Sequence, residues 1–264
     1  MRLRPIVFCT DYGLGDEFVG VCHAVMQRIA PGVSIVDLTH AISRQDVLQG
    51  AIVLGRAAPY LPPDAVCVAV VDPGVGGDRR EIAVEAGSGA LLVGPDNGLL
   101  SMAWTALGGA RSAVRIGSAE VRLPSVSRTF HGRDVFAPAA AHLAAGTPLA
   151  DVGPAVEVEG LEVLELPAPM VAPGKIGARV MGVDGFGNVQ LNVRPEELEH
   201  AGLEERLSVA GHPLPRVAVF SDVPEQSLAA ILDSQGFLAL VVNRGSASQV
   251  LGLRPGATVV LEEG

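Results

Sequence analysis

The sequence contains few aromatic residues and few cysteines. Aromatic side chains make up 4% of its 264 residues, and the three cysteines, Cys9, Cys22 and Cys67, lie far apart. No CxxC pair occurs, so the spacing indicates neither a zinc site nor a disulfide framework. We therefore expect three small buried thiols in the reducing environment of the cytoplasm.

Positive charge is also scarce, and long hydrophobic runs are missing. Lys and Arg number 19 against 29 Asp and Glu, which gives a net charge of −10. Such a field repels nucleic acid and anionic membranes, so neither is expected as a partner. The apolar run at 65–71 is too short to span a membrane, and the run at 5–9 is too short for a signal peptide. These absences predict a soluble cytoplasmic protein.

Apolar residues are abundant, at 48% of the chain, and in the first half they form short continuous runs. Continuous rather than alternating runs indicate strands buried on both faces, as in a parallel sheet between helices. The predicted strands are 5–9, 33–38, 65–71, 81–85 and 90–93, and the predicted helices are 17–29, 44–58, 99–106 and 134–145. We expect an α/β domain over 1–165, with a mostly parallel sheet flanked by helices.

The second half has a different pattern, which begins after a proline-rich connector at 166–174. Short strand-like runs separated by turn residues are typical of a small all-β sandwich or barrel. The predicted strands are 175–183, 189–193, 207–209, 217–220, 237–242 and 257–262, and 228–233 is the one segment that could form a helical turn. We expect a smaller, barrel-like all-β domain over 174–264.

Polar loops follow three of the predicted strands, at residues 10–16, 72–80 and 94–98. Because the carboxyl ends of strands in an open α/β sheet form a ligand crevice, we expect these loops to converge. Each loop alone is typical of an ordinary turn, since Gly, Pro, Asp and Asn favour turns. Three such loops at strand ends favour a ligand site.

A histidine, His131, directly precedes a helix predicted to begin near Asp134. The positive end of a helix dipole favours the neutral imidazole, which can exchange protons near neutral pH. The remaining histidines lack this setting, and we interpret them as structural or surface residues: His23, His40, His142, His200 and His212.

Gly13 and Gly15 in the first polar loop suggest the dinucleotide-binding motif GxGxxG. In that motif the third glycine comes three residues after the second, whereas Gly20 comes five residues after Gly15. Its carboxylates would repel a pyrophosphate, so we interpret Asp11 as a ligand for a ribose diol or a cation. A mononuclear metal site would combine Asp11, Asp72 and His131. Their spacing matches no metal-binding motif, and we predict no metal and no cofactor.

Seven motifs occur along nearly the whole chain: TDYGLGDEFVG at 10–20, DLTHAI at 37–42, VVDPGVGG at 70–77, GPDNGLLS at 94–101, TFHGRDVFAPAAAHLA at 129–144, DGFGN at 184–188 and NRGSA at 243–247. Together they resemble the S-adenosyl-L-methionine (SAM) hydroxide adenosyltransferases, the adenosine-forming SAM hydrolases related to fluorinases and chlorinases. The resemblance implies hydrolysis of SAM, or of its (R)-sulfonium epimer, to adenosine and L-methionine by hydroxide attack at ribose C5′. It also implies a homotrimer with sites between the N-terminal domain of one subunit and the C-terminal domain of the next.

The same resemblance implies roles for particular residues. The catalytic set is Asp72, Arg79 and His131, with Asp72 also counted among the residues that bind substrate. The remaining substrate contacts are Asp11 at the ribose diol, Asp184 at the methionine end, and Asn188, Ser234 and the backbone around Val242 at the nucleoside.

Three positions depart from the pattern of the relatives. Gly185 replaces a frequent Arg, Ala239 replaces a Glu that contacts the nucleoside, and Gln45 replaces an aromatic residue of the halogenases.

Two alternative functions remain open. One is a SAM halogenase, although the loop after Asp72 is short here, where halogenases have a longer one that builds a halide pocket. The other is a non-catalytic sensor that binds adenosine or SAM.

Overall fold

The computed structural model describes residues 3–204 and 207–264 of the chain. It divides into two compact units, Met1–Leu164 and Glu165–Gly264. None of the helices in the described ranges is long and apolar enough to cross a membrane.

The first unit alternates strands and helices in its first half. Its strands are β1 (Ile6–Thr10), β2 (Ile35–Thr39), β3 (Val66–Val70), β4 (Glu81–Ala86), β5 (Leu91–Pro95), β6 (Ala110–Arg115) and β7 (Ala155–Val156). Its helices are α1 (Phe18–Ile29), α2 (Val47–Ala57), α3 (Ser101–Ala106), α4 (Ala137–Ala144) and α5 (Leu149–Val152), with short 3₁₀ turns at Ala58–Tyr60, Ala119–Val121 and Val158–Gly160. A π-helical turn, Gly132–Phe136, leads directly into α4.

These strands form one seven-stranded mixed sheet in the order β2-β1-β3-β5-β4-β6-β7. The first four strands in this order run parallel, and β4, β6 and β7 pair antiparallel. Every residue of β1, β3 and β5 is buried, and apolar clusters with helical residues cover both faces. The prediction of an α/β domain from continuous apolar runs is therefore confirmed.

Two differences from the predicted elements have local causes. α2 begins at Val47 rather than near residue 44, because Asp46 caps it by accepting a hydrogen bond from the backbone N–H of Gln49. Strand β6 was not predicted, since its outward positions are polar or half-buried. The three cysteines are buried as expected, and burial raises each thiol pKa to about 12.

The second unit is an antiparallel, barrel-like sheet, which confirms the predicted class. Its strands are β8 (Met170–Ala172), β9 (Lys175–Val183), β10 (Val189–Leu191), β11 (Ser208–Val209), β12 (His212–Pro213), β13 (Leu228–Leu232), β14 (Leu238–Val242) and β15 (Thr258–Glu262). Two short helices, α6 (Pro195–Ala201) and α7 (Ala247–Leu251), and a 3₁₀ turn at Phe220–Asp222 complete it. The strand order is β12-β11-β15-β9-β10-β14-β13, with β8 added alongside β9.

Two predictions for this unit are wrong. The segment expected to form a helical turn is strand β13, because it pairs along its whole length with β14. The strand predicted at 217–220 does not form, since the carboxylate of Asp222 accepts the backbone N–H groups of Ala218 and Val219 and folds the segment into a 3₁₀ turn.

Close strand packing at Gly94, in the first unit, leaves no room for a side chain. A β-carbon on Gly94 in β5 would lie 2.4 Å from the carbonyl oxygen of Ala69 in the neighbouring strand β3. We expect Gly94→Ala to lower the free energy of unfolding by about 1–3 kcal/mol through overpacking, measured by thermal or denaturant melts. The control Gly20→Ala, in α1, meets nothing within 4 Å and should stabilise the helix by about 0.5–1 kcal/mol. Equal stability of Gly94→Ala and wild type would contradict this account.

Candidate active site

Two of the predicted carboxylates stand at the ends of neighbouring parallel strands. β1 and β3 are hydrogen-bonded with Thr10 opposite Val70. Asp11 follows β1 directly, and Asp72 follows β3 after one residue. Both side chains line one cavity of about 510 Å³, a size typical of small-molecule sites. The carboxyl edge of the sheet therefore holds the candidate site, where open α/β folds bind their ligands.

Asp72 and Arg79 form a close and largely buried ion pair. Arg79 donates from Nε to Asp72 Oδ1 at 3.0 Å and from Nη2 to Oδ2 at 2.5 Å. The side chains of Arg79 and Asp72 are only 9% and 6% exposed, so each charge depends on the other for compensation. Burial lowers the pKa of Arg79, but the hydrogen bonds and charges of Asp72 and then of Glu81 raise that pKa overall. The guanidinium therefore stays charged.

His131 joins this pair from the other side. Its Nδ1 lies 2.8 Å from Arg79 Nη2, and its ring lines the cavity with Asp72. Because an arginine can only donate, Nδ1 is the acceptor in this contact. Burial and then the charge of Arg79 lower the pKa of His131 below its ordinary value. The imidazole is therefore neutral at neutral pH, and in this contact its hydrogen is on Nε2.

The π-helical turn that follows His131 requires a glycine at its first position. A β-carbon on Gly132 would lie 2.0 Å from the hydroxyl oxygen of Tyr12. The loop after β3 is held just as tightly, since Gly76 has φ +74° and a β-carbon there would lie 2.2 Å from the carbonyl oxygen of Arg128. Both glycines thus permit the close approach that brings His131 and Arg79 together.

One buried carboxylate in contact with this set was not predicted. Glu81, the first residue of β4, places Oε1 2.9 Å from Arg79 Nη1 and 3.3 Å from His131 Nδ1. Its Oε2 lies 3.9 Å from Arg122 Nη2. The residue is 8% exposed. One feature of the sequence indicates Glu81. It is an acidic residue two positions after Arg79, and it begins a strand whose next residues are apolar.

Aromatic side chains and one backbone N–H shape the rest of the cavity. Tyr12, Phe18 and Phe130 pack edge to face with ring centroids 5.2–5.9 Å apart. Asp11 accepts a hydrogen bond at Oδ2 from the backbone N–H of Gln45 at 2.8 Å. Gln45, one of the departures from the family pattern, lines the cavity and has φ 65°. Asp11 is thereby oriented with Oδ1 free of this bond.

The third predicted polar loop does not line this cavity. Asp96 is buried, accepting from Arg80 and from the backbone N–H of Glu162. Asn97 donates from Nδ2 to the carbonyl of Val71 at 2.9 Å. This loop therefore supports the fold, and the expectation that three loops converge holds only for the first two.

A metal site at Asp11, Asp72 and His131 would compete with the ion pair that Asp72 forms. Both oxygens of Asp72 accept from Arg79. Within the described ranges, ligand atoms of metal-binding type cluster instead at His23, Asp37 and His40. There His23 Nε2 and His40 Nε2 lie 2.8 and 3.0 Å from Asp37 Oδ1.

In the second unit, two of the four predicted residues line one hollow. Asn188 and Val242 border a cavity of about 550 Å³, together with Phe186, Phe220, Asn243, Arg244 and Gly245. Asp184 closes the preceding turn, accepting from Asn188 Nδ2 at 2.8 Å and from two backbone N–H groups. Ser234 is exposed and does not border the hollow.

The two other departures from the family pattern occupy opposite environments. Ala239 is 2% exposed within β14, packed against Ala229 and Val241. Gly185 lies in an exposed turn, where a β-carbon would meet nothing within 4 Å. The first is therefore a residue of the sheet interior, and the second leaves open space beside the hollow.

Comparisons with known proteins identify the family of the chain and match both units. The family model for the SAM hydroxide adenosyltransferase N-terminal domain matches residues 6–153, and that for the C-terminal domain matches residues 178–260. A solved structure of an uncharacterised conserved protein from Thermotoga maritima superposes with a TM-score of 0.87 at 36% identity, covering 98% of this chain and 100% of that one.

Several curated relatives match over nearly their full length. An (R)-S-adenosyl-L-methionine hydrolase from Salinispora tropica is 51% identical, covering 95% of each chain. One from Thermus thermophilus is 44% identical over 98% of this chain and 100% of its own. A fluorinase from an Actinoplanes species is 30% identical over 98% of this chain and 97% of its own. The chain thus belongs to the SAM hydroxide adenosyltransferase family.

Proposed function

We propose that this protein hydrolyses SAM, with the (R)-sulfonium epimer as a substrate, to adenosine and L-methionine. The observation that carries the proposal is the buried contact of Asp72, Arg79 and His131 at the strand-end cavity. Relatives at 44% and 51% identity are named (R)-SAM hydrolases. In the reaction, a water-derived oxygen forms a bond to ribose C5′. The C5′–S bond breaks, and its electron pair stays on sulfur as the neutral thioether of methionine.

The chemistry of the substrate defines what the protein must supply. A sulfonium leaves as a neutral thioether, so no general acid is needed to expel methionine. Water, in contrast, is a poor nucleophile and must lose a proton. Asp72 and His131 orient the water and accept its proton, while the positive field of Arg79 stabilises the developing hydroxide. Holding that water in line behind C5′ adds the advantage of orientation.

Substrate contacts are proposed on both units. Asp11, with Oδ1 free, accepts hydrogen bonds from the ribose diol. Asn188 and the backbone around Val242 contact the nucleoside, and they border the hollow of the second unit. Ser234 is also assigned to the nucleoside and Asp184 to the methionine end. The support for these two is the family resemblance.

We further propose a cytoplasmic homotrimer in which the cavity of one subunit is completed by the second unit of its neighbour. The hollow of the second unit exposes two aromatic side chains, Phe186 at 83% and Phe220 at 43%. Exposed apolar surface of this kind marks a binding face for a ligand or a partner.

Substitution of the three catalytic residues tests the mechanism. Asp72→Ala, Arg79→Ala and His131→Ala should each lower kcat/KM for SAM by about 10²–10⁴-fold, since each removes a group that positions or deprotonates water. Adenosine and methionine are measured by chromatography, and circular dichroism verifies the fold. The matched control is Arg111→Ala, whose side chain is 64% exposed and 3.8 Å from Glu85, and it should retain full activity. Full activity in any two of the three variants would contradict the proposed mechanism.

The origin of the product oxygen separates hydrolase from halogenase. The glycine-rich loop from Asp72 to Arg79 leaves little chain to enclose a dehydrated halide. In ¹⁸O-water with excess chloride, we expect adenosine carrying one heavy oxygen at C5′ and no chlorinated nucleoside, read by mass spectrometry. Unlabelled adenosine would rule out attack by water at C5′. 5′-Chloro-5′-deoxyadenosine as the main product would favour a halogenase.

Mixing two inactive variants tests the proposed subunit interface. Asp72→Ala disables the cavity of the first unit, and Asn188→Trp fills the hollow of the second. Co-expressed subunits that associate at random should recover about a quarter of the wild-type turnover, because one interface in four then joins two intact halves. Each variant expressed alone is the control. No recovery in a purified mixed oligomer would place the whole site within one subunit.

A further inference from the structure

Glu81 is a buried carboxylate that the catalytic proposal leaves without a role. It approaches two members of the catalytic set, at 2.9 Å from Arg79 Nη1 and 3.3 Å from His131 Nδ1. Its side chain is 11% exposed. Burial of a carboxylate costs free energy unless its charge is paired and hydrogen-bonded. Arg79 already has a carboxylate partner in Asp72. Glu81 therefore adds a second negative charge at the point where His131 meets Arg79.

The charges around His131 balance when its ring is neutral. Four charged groups face it: Arg79 and Arg122 are positive, and Asp72 and Glu81 are negative. When the ring takes up a proton, the site gains one positive charge in surroundings with little water. Of the two carboxylates, Glu81 is the one whose oxygen lies within 3.3 Å of a ring nitrogen. It is therefore placed to offset the charge of an imidazolium.

Hydrogen-bond chemistry limits what each neighbour of Nδ1 can do. Arg79 can only donate, so its contact at 2.8 Å requires an Nδ1 without hydrogen, and the neutral ring then carries its proton on Nε2. A ring in that form cannot accept a proton from water at Nε2. The other tautomer leaves Nε2 free and needs an acceptor at Nδ1. In the described part of the chain, the carboxylate in contact with that nitrogen is Glu81.

We propose that Glu81 is a positioning residue that replaces Arg79 as the partner of His131 Nδ1, accepts a hydrogen bond from that nitrogen and holds the ring in the tautomer whose Nε2 takes the proton of water. This inference rests on the proposed function. The proton of water moves to Nε2 as oxygen bonds to C5′, the hydrogen on Nδ1 remains shared with Glu81, and the imidazolium returns its extra proton to solvent after the products leave. The arrangement is that of a carboxylate orienting a histidine base.

The same contact determines the direction of a pH effect. Burial and then Arg79 lower the pKa of His131, Glu81 and Asp72 raise it, and Arg122 lowers it. Without the charge of Glu81 the pKa falls further. Since the base must be neutral, activity is lost as the pH drops through this pKa. The acidic limb of the kcat/KM profile should therefore move to lower pH.

The test compares Glu81→Gln with wild type and with Glu85→Gln, a control on the same strand that faces Ser112 and Arg111. In Glu81→Gln, we expect the acidic limb to move down by about 1–3 pH units and the plateau kcat to fall, because the neutral amide retains an acceptor oxygen but not the charge. Glu81→Leu, which has no acceptor, should lose about 10²–10⁴-fold in kcat. Glu85→Gln should leave the limb in place.

A readout without turnover separates this inference from the proposed function. Nuclear magnetic resonance titration of the ring nitrogens of His131, assigned by their loss in His131→Asn, reports its pKa and tautomer directly. A lowered His131 pKa in Glu81→Gln and loss of the Nδ1 proton in Glu81→Leu are expected even if SAM is not the substrate. An unmoved His131 pKa together with an unmoved acidic limb would overturn the role of Glu81. If Glu81→Gln does not fold, Glu81→Asp is measured instead. This variant keeps the charge and should show an acidic limb close to that of the wild type, with a reduced kcat. An acidic limb displaced as far as predicted for Glu81→Gln would overturn the role of Glu81.

Discussion

The buried ion pair of Asp72 and Arg79 is the interaction on which the candidate site depends. Two opposite charges this far from water are stable only in close contact with each other. The pair therefore fixes the glycine-rich loop between them and joins the end of β3 to the start of β4. His131 and Glu81 then take positions relative to the guanidinium, which contacts both. Loss of Arg79 would leave the buried charge of Asp72 without its ion-pair partner.

The fold could be predicted where burial leaves a clear pattern in the sequence. β1, β3 and β5 are continuous apolar runs because both faces are covered, and each was predicted within one or two residues. The pattern was ambiguous at β13, where Leu228–Leu232 is apolar throughout and only its pairing with β14 makes it a strand. At 217–220, β-branched and aromatic residues favoured a strand, and a single capping carboxylate from Asp222 prevented it.

The candidate site was predictable in its members rather than in its contacts. Family motifs indicated Asp72, Arg79 and His131, but the hydrogen bonds that consume both oxygens of Asp72 depend on a loop conformation that spacing does not encode. Glu81 escaped notice because a glutamate at the start of a strand is usually a solvated end. Its partner His131 lies 50 residues further along the chain, and only the three-dimensional structure brings the two together.

The π-helical turn at Gly132–Phe136 has a consequence for how this chain can change in length. A π turn holds one more residue than an α turn, so its removal would restore regular helix. Deleting one residue there would convert the turn to regular α-helix, so the turn itself would take up the change and α4 could stay docked. The same deletion within the regular helix would rotate everything before it by about 100° around the helix axis. The π-helical turn is therefore the place in this helix where the chain can lose a residue without changing the register of α4.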